Sequence, residues 1–358
     1  MSERLIVKAL KTPEQAKAFS DAQWQTFLSE CYQTGLLARF FHIFTKRQLL
    51  QHIPTALLWH FQSADVVSQA HRRDIRIEVE HIERALKMVG IRPVFLKGVA
   101  YDLAHDEVAE GRVFSDVDIF ISRPELDSAE HALGLHGWRQ GKMTAYDRSY
   151  YRRWMHELPP MTHRERGMAL DVHHSLLPVT CRYAFDAKEL QLEDFQGHLV
   201  LALCDRIIHS FCHLLMESEF EKGLRDLSDL DLLFRLCADN DKWEMLLFRA
   251  EQLGVGRLCF YALRYSQLIL DTPIPEAVLQ QSQRWAPASF TLQAMDWAFP
   301  KVLVNASSMA VSRRIKMAHF VLYLRGHWLR MPLYLLAPHL ARKAWMRISG
   351  RDQQETAA

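Results

Sequence analysis

Apolar residues recur at spacings of three and four near the start of the chain, in Trp24, Phe27, Leu28 and Cys31 and again in Leu36, Leu37, Phe40, Phe41 and Phe44. That period predicts helices with one buried stripe. A second helical stretch runs from about Thr55 to Met88, with Leu57, Leu58, Phe61, Val66 and Val67 early and Ile75, Ile77, Val79, Ile82 and Leu86 late. No Gly or Pro interrupts it, and Gly90 followed by Pro93 supplies the stop. The period then changes. Val94-Phe95-Leu96, bounded by Pro93 and Lys97-Gly98, has the profile of a short buried strand. Residues 113–121 alternate, with Val117, Ile119 and Ile121 on one face and Asp116, Asp118 and Phe120 on the other. Pro124 opens a helix to about Leu135, and Gly137 lies near its end. Two further strands are predicted near Trp154–Met161 and at Met168–His174. From Leu199 the helical period returns through Leu236, and helices continue to about Phe320.

The order is helices, a β-rich middle of roughly one hundred residues, then helices again. This predicts an α+β chain with a helical segment over 1–90, a compact core over 91–195, a helical domain over 196–312 and a tail over 313–358. Strand–helix units alternate too irregularly for a doubly wound sheet. No internal repeat or low-complexity tract appears.

Composition narrows the class. Of 358 residues, 49% are hydrophobic and 24% charged, which excludes a disordered or fibrous chain. Six scattered cysteines (Cys31, Cys181, Cys204, Cys212, Cys237, Cys259) form no CxxC pair and read as reduced core residues. The first residues lack the apolar stretch of a signal peptide, and no run of 18 apolar residues exists, so a soluble cytoplasmic protein without a membrane span is expected. The net charge of +2 conceals an asymmetry. Residues 313–358 hold nine Lys/Arg against two acids, which leaves 1–312 at −5.

The chemistry concentrates in the middle block. Asp116 and Asp118, one residue apart on a strand, point to the same side. Two carboxylates so close raise each other's pKa unless a cation lies between them. Mg²⁺, or Mn²⁺ in its place, is the hard oxygen-seeking ion that resolves this. Asp171, in the apolar frame Ala169-Leu170-Asp171-Val172, would add a third carboxylate and complete a two-metal site of the kind that serves in-line displacement at phosphorus. A solvated strand face is the alternative for an isolated Asp-x-Asp. The apolar neighbours of Asp116 and Asp118, and a Lys-Gly turn at the end of another strand, argue against it.

Leu96-Lys97-Gly98, then Arg112-Val113-Phe114-Ser115-Asp116-Val117-Asp118-Ile119, then Ala169-Leu170-Asp171-Val172-His173 resemble the signature of the DNA polymerase beta-type nucleotidyltransferase superfamily. More closely, the chain is similar to a bacterial branch of uncharacterised nucleotidyltransferases, and the resemblance spans roughly 80–235. It implies a small mixed β-sheet nucleotidyltransferase core flanked by helical segments. It also implies Mg²⁺ (or Mn²⁺) bound by Asp116, Asp118 and Asp171, with Asp171 helping to activate an acceptor hydroxyl. The expected reaction transfers a nucleoside monophosphate, AMP from ATP foremost, to a hydroxyl or phosphate acceptor. Much of the superfamily has Gly-Ser or Gly-Gly where this chain has Lys97-Gly98, a departure from the polymerase subgroups. Gly98, without a Cβ, lets backbone N–H groups approach phosphate. Lys97 and Arg112 would neutralise triphosphate charge, and Ser115 would touch phosphate or orient the turn. The rival is a non-catalytic nucleotide- or partner-binding scaffold on the same fold, serving a membrane-linked assembly such as an exopolysaccharide or protein-sorting system.

Secondary candidates remain. His173 shares the face of Asp171 and could contact nucleotide or acceptor, whereas His174 falls on the other side. Leu224-Arg225-Asp226-Leu227-Ser228-Asp229 would bring Arg225 or Asp229 to substrate if its helix crosses the cleft; a surface Arg–Asp pair four residues apart is the alternative. His209 and His213 have metal-ligand spacing but no HExxH context, and read as packed. Asn305-Ala306-Ser307 is a glycosylation sequon by spelling only. Residues 313–351 mix nine cations with Phe320, Trp328, Leu329, Leu333, Leu336 and Trp345, which suits either packing on the body or peripheral contact with an anionic membrane surface. The acidic body has no evident stacking platform, which argues against nucleic acid.

Overall fold

The computed structural model describes residues 4–141, 155–183, 185–305 and 312–330. Packing divides the chain into two compact units, each discontinuous in sequence. One comprises Met1–Asp74, Tyr101–Phe114 and Leu203–Tyr323; the other comprises Ile75–Ala100, Ser115–Ala202 and Leu324–Ala358.

Among its described residues, the first unit is built of helices. Asp21–Thr34 begins in a capping box, in which Ser20 Oγ accepts from the Gln23 N–H while Gln23 Oε1 accepts from the Ser20 N–H at 2.9 Å. It ends at Gly35 in the left-handed region. Its buried stripe of Trp24, Phe27 and Cys31 meets Phe40 and Phe44 of the helix Leu37–Lys46, with the Phe27 and Phe40 rings 4.8 Å apart edge to face. The helix Thr55–Lys87 has the predicted extent and adds Phe61 to this cluster. Val66, Val67 and Ile77, expected to be buried, are exposed. Adjacent apolar residues point about 100° apart on a helix, so the whole run cannot reach one core. Leu203–Met216 is buried along most of its length, and there Arg249 grips Asp205 through two hydrogen bonds of 2.8 and 2.7 Å.

Gly111 is the tightest backbone approach in this unit. Its φ is +64°, and a Cβ there would lie 2.5 Å from Arg39 Cα and 2.6 Å from the Ala38 carbonyl. Gly111→Ala is expected to lower unfolding stability by about 2 kcal/mol or more, through overlap and backbone strain together. Urea denaturation checks this, and a change within about 0.5 kcal/mol would show that the chain yields there at little cost.

The second unit carries a seven-stranded sheet: β1 (Val94–Phe95), β2 (Asp116–Phe120), β3 (Trp138–Gln140), β4 (Met161–His163), β5 (Ala169–His173), β6 (Leu192–Phe195) and β7 (His198–Leu201). Their order across the sheet is β3-β4-β5-β2-β1-β7-β6. β2 pairs with β5 and β1 with β7 in parallel, and the other pairs are antiparallel, so the sheet is mixed as the resemblance implied. One face carries Phe95, Val117, Ile119, Leu170, Val172 and Val200, all fully buried. The other face holds Asp116, Asp118 and Asp171 at one end. At the other end Val94, Leu96 and Leu201 pack with Leu176, and Phe120 and Leu199 lie against them.

Two strand expectations need correction. The stretch expected near Trp154–Met161 is an isolated bridge between Glu157 and His173, and β4 begins only at Met161; Trp154 lies outside the described residues. Residues 199–201, read as the start of a helix, close the β6–β7 hairpin. Its turn, Gln196-Gly197, has both φ values positive, as two-residue hairpin turns require. β3 had no expectation, because three residues are too few to show a period.

All six cysteines are buried, and none of them forms a disulfide. No described helix is long and apolar enough to cross a membrane. The helix Arg313–Arg330 buries Ile315, Ala318, Leu322 and Leu329 while Met317, Phe320, Leu324 and Trp328 stay exposed. Its C-terminal end is fastened: the Arg182 N–H donates to the Leu329 carbonyl at 3.1 Å, and the Arg182 guanidinium covers the Trp328 ring. Leu333, Leu336 and Trp345, and residues 306–307 of the sequon, lie outside the described residues.

Candidate functional site

The site grows from the pairing of β2 with β5. In that parallel ladder Asp116 is opposite Ala169, Asp118 opposite Asp171, and Phe120 opposite His173. Opposed residues share a face, so the three aspartates and His173 all project to one side. β1 lies on the other flank of β2, where the Leu96 N–H donates to the Asp118 carbonyl at 3.0 Å. The chain then turns at Lys97 into the helix Lys97–Leu103, and Gly98 occupies its first turn. Lys97 has φ +49°, a left-handed conformation for which glycine is the low-strain choice. Such strain in a lysine is held where the surrounding structure fixes it, and functional sites are where it clusters.

The Lys97 side chain shows what that conformation achieves. Its ammonium donates to Asp118 Oδ1 at 2.7 Å, and His173 Nε2 donates to the same oxygen at 2.8 Å. Burial alone would raise the Asp118 carboxyl, but the Lys97 charge and the His173 hydrogen bond hold it well below the usual carboxylate range. Burial likewise opposes the charge on Lys97, and Asp118 more than restores it, so Lys97 stays protonated. Asp171 is in the opposite condition. Burial, then the neighbouring charges of Asp118 and Glu157, push its carboxyl up to about 7. Among the described residues it has no hydrogen-bond or ion-pair partner. Asp116 accepts from Ser115 Oγ at 2.8 Å.

Three carboxylates on one face have the donor chemistry of a hard divalent cation, and Asp171, without a partner among the described residues, is driven toward neutrality by its neighbours. Their oxygens do not close to within 4.8 Å of one another as the donor atoms of His156, Glu157 and His173 do. A cation there would relieve the repulsion that lifts Asp171.

Two further side chains complete the site, and sequence reasoning missed both. Glu157 bridges to His173 in the backbone, and its Oε2 lies 3.6 Å from His173 Nδ1; His156 precedes it, with Nε2 3.6 Å from the same oxygen. They lie in the stretch expected as a strand near Trp154–Met161, but no motif or spacing there marked either side chain as a donor. His174 lies just past β5, with its backbone N–H on the His156 carbonyl at 2.8 Å.

The remaining candidates belong to the helical unit. Asp229 is buried on the helix Gly223–Asp239 within the helical unit, where Arg39 Nη1 donates to its Oδ1 at 2.6 Å and Arg112 closes on its other oxygen. Burial, and then the nearby Arg225 charge, lower both Arg39 and Arg112 to about 10. Arg225 pairs with its neighbour Asp226 at 2.7 Å, not with Asp229 four residues on. His209 and His213 join no cluster of metal donors among the described residues.

A family model for uncharacterised nucleotidyltransferases matches residues 20–271, more than two thirds of the chain. The chain belongs to that family. No curated protein and no solved structure matches it. The matched span of this nucleotidyltransferase-family chain takes in the whole sheet, together with Arg39, Arg112 and Asp229.

Proposed function

We propose that this chain is a Mg²⁺-dependent enzyme that transfers a nucleoside monophosphate, AMP from ATP, to a hydroxyl or phosphate acceptor and releases pyrophosphate. The observation that carries the reading is the in-register placement of Asp118 beside Asp171, with Asp116 two residues away on the same face. Asp116, Asp118 and Asp171 would hold Mg²⁺, which when bound supplies electrostatic stabilisation of the phosphoryl oxygens. Lys97 offers a positive charge at the same place, and at the turn Gly98, without a Cβ, would let phosphate approach the backbone N–H groups. Asp171 is the base. Its carboxylate, beside the reacting oxygen, takes the acceptor's proton as that oxygen bonds to the α-phosphorus and the bond to pyrophosphate breaks. Ser115 orients Asp116, and His173 holds Asp118. Arg112, Arg225 and Asp229 take no part in this reading, because their charges are satisfied within the helical unit.

Asp118 supports a second reading. Its Oδ1 is already engaged by Lys97 and His173, a neutralised arrangement that a non-catalytic nucleotide-binding scaffold would also keep. One experiment separates the two. Incubation with α-labelled nucleoside triphosphates and candidate acceptors, the protein itself included, is expected to yield label transfer with pyrophosphate release. Mg²⁺ with ATP is expected to stabilise the wild type, by about 2.7 kcal/mol at a hundred times Kd, and Asp118→Asn to lose that response. Binding of ATP without Mg²⁺ dependence and without transfer would favour the scaffold. We place the chain in the cytoplasm, with residues 313–351 touching an anionic membrane surface. What supports that contact is exposed Met317, Phe320, Leu324 and Trp328 on a helix that also carries Arg313, Arg314 and Lys316.

A further inference from the structure

We propose that His156, Glu157 and His173 form a separate binding site for a Zn²⁺-class transition-metal ion, with Asp118 as the carboxylate that orients His173. One donor atom from each of the three residues lies within 4.8 Å of the other two. The separations of Glu157 Oε2 from His173 Nδ1 and from His156 Nε2 are both 3.6 Å. That is too long for a hydrogen bond. It is close to the spacing of about 3.3 Å between ligand atoms around a tetrahedral zinc with bonds near 2.0–2.1 Å.

The state of His173 follows from its other nitrogen. Asp118 is ionised and can only accept, so Nε2 must carry the proton in their 2.8 Å bond. In the neutral ring Nδ1 then presents a lone pair, and it is buried without a hydrogen-bond partner. It faces Glu157, which when ionised is also an acceptor. With Nε2 turned to Asp118, Nδ1 faces Glu157 Oε2 across 3.6 Å, a gap that a metal ion bound by both atoms would fill. A carboxylate that fixes the tautomer of a ligating histidine is the usual outer support of a zinc site, and Asp118 already occupies that position.

The backbone holds the donors in place before any ion arrives. The N–H groups of His174 and Ser175 both donate to the His156 carbonyl, at 2.8 and 3.1 Å, and the Leu158 N–H donates to the Val172 carbonyl at 2.8 Å. His156 and Glu157 are thereby fastened beside the end of β5. Two imidazoles and one carboxylate oxygen suit zinc, cobalt or iron better than magnesium, which prefers an all-oxygen shell. The donor set thus differs from the aspartate cluster in both position and chemistry, and three protein ligands leave a coordination position open.

Titration of the full-length protein with CoCl₂, read by visible absorption, tests the site apart from any nucleotide transfer. One equivalent is expected to give the bands of low-coordinate cobalt with nitrogen and oxygen donors, without a thiolate charge-transfer band, and Zn²⁺ is expected to displace it. His156→Ala and Glu157→Gln, both on partly exposed side chains, are each expected to weaken binding at least about tenfold, and Asp118→Asn by about 10–100-fold. Unchanged cobalt affinity in both His156→Ala and Glu157→Gln, or a wild type that binds no cobalt, would overturn the proposal.

Discussion

Asp171→Asn is expected to make the protein more stable and less active at once. The Asp171 carboxyl, near 7 in the folded chain, has an unfolded value near 3.9. Its raised value means that the folded state binds this proton more tightly than the unfolded state does. Wild-type stability therefore falls as pH rises from about 4 to about 7 and levels off above that. Asparagine has no proton to lose, so the advantage of the variant grows across that window. It should reach on the order of 2 kcal/mol at pH 8, after a discount for the partial exposure of the site. Saturating Mg²⁺ should shrink the difference, because the cation removes the repulsion that the mutation removes. Nucleotide transfer should fall by about 10²–10⁴-fold, the contribution expected of a positioned base. Denaturation at pH 5 and pH 8 with a transfer assay covers every part. Equal stabilities at both values would remove the repulsion from the account, and retained transfer would remove Asp171 as the base.

Asp229→Ala is expected to do the reverse, with a large loss of stability. Its carboxylate is buried between Arg39 and Arg112. Removing it leaves two guanidinium groups facing each other in a dry environment, and a broken buried ion pair costs about 3–5 kcal/mol. Asp226→Ala, on a partly buried pair with Arg225 whose side chains are 17% and 20% exposed, should cost less, about 1–3 kcal/mol. Urea denaturation of both variants gives the comparison. A mild effect of Asp229→Ala on stability, joined to loss of nucleotide transfer, would return Asp229 to the substrate.

The contrast between these two aspartates marks how far the sequence could be read. Asp116, Asp118 and Asp171 announced themselves through alternation with valine, isoleucine and leucine, because a strand's period of two puts polar and apolar residues on opposite faces. Asp229 sits in a helical frame just as apolar, and nothing local shows that its partners stand 190 and 117 positions earlier in the chain, at Arg39 and Arg112. Long elements such as Thr55–Lys87 were legible from start to stop. The three- and four-residue strands β3 and β6 were not, since they hold no more than two repeats of the pattern. Glu157 and His156 lay in an expected strand, but nothing local showed that they meet His173. The bond of Lys97 to Asp118 was hidden because it depends on a left-handed backbone at a residue that rarely adopts one.

The in-register pairing of β2 with β5 also bears on how the protein comes into being. Asp118 and Asp171 belong to distant parts of the chain, and parallel strands cannot be joined by a tight turn. Their meeting is a long-range event that must wait for the intervening segment to be laid down and closed, which places it among the slow steps of folding. A slip of one residue would turn Asp171 toward the apolar face and bring Leu170 or Val172 to Asp118. Such a slip would bury an unpaired carboxylate, so the energetics that make the site hungry for a cation also reject the misaligned sheet. A nascent or misregistered chain accordingly holds only the Asp116 and Asp118 pair of β2; Asp171 joins them when the central strands lock.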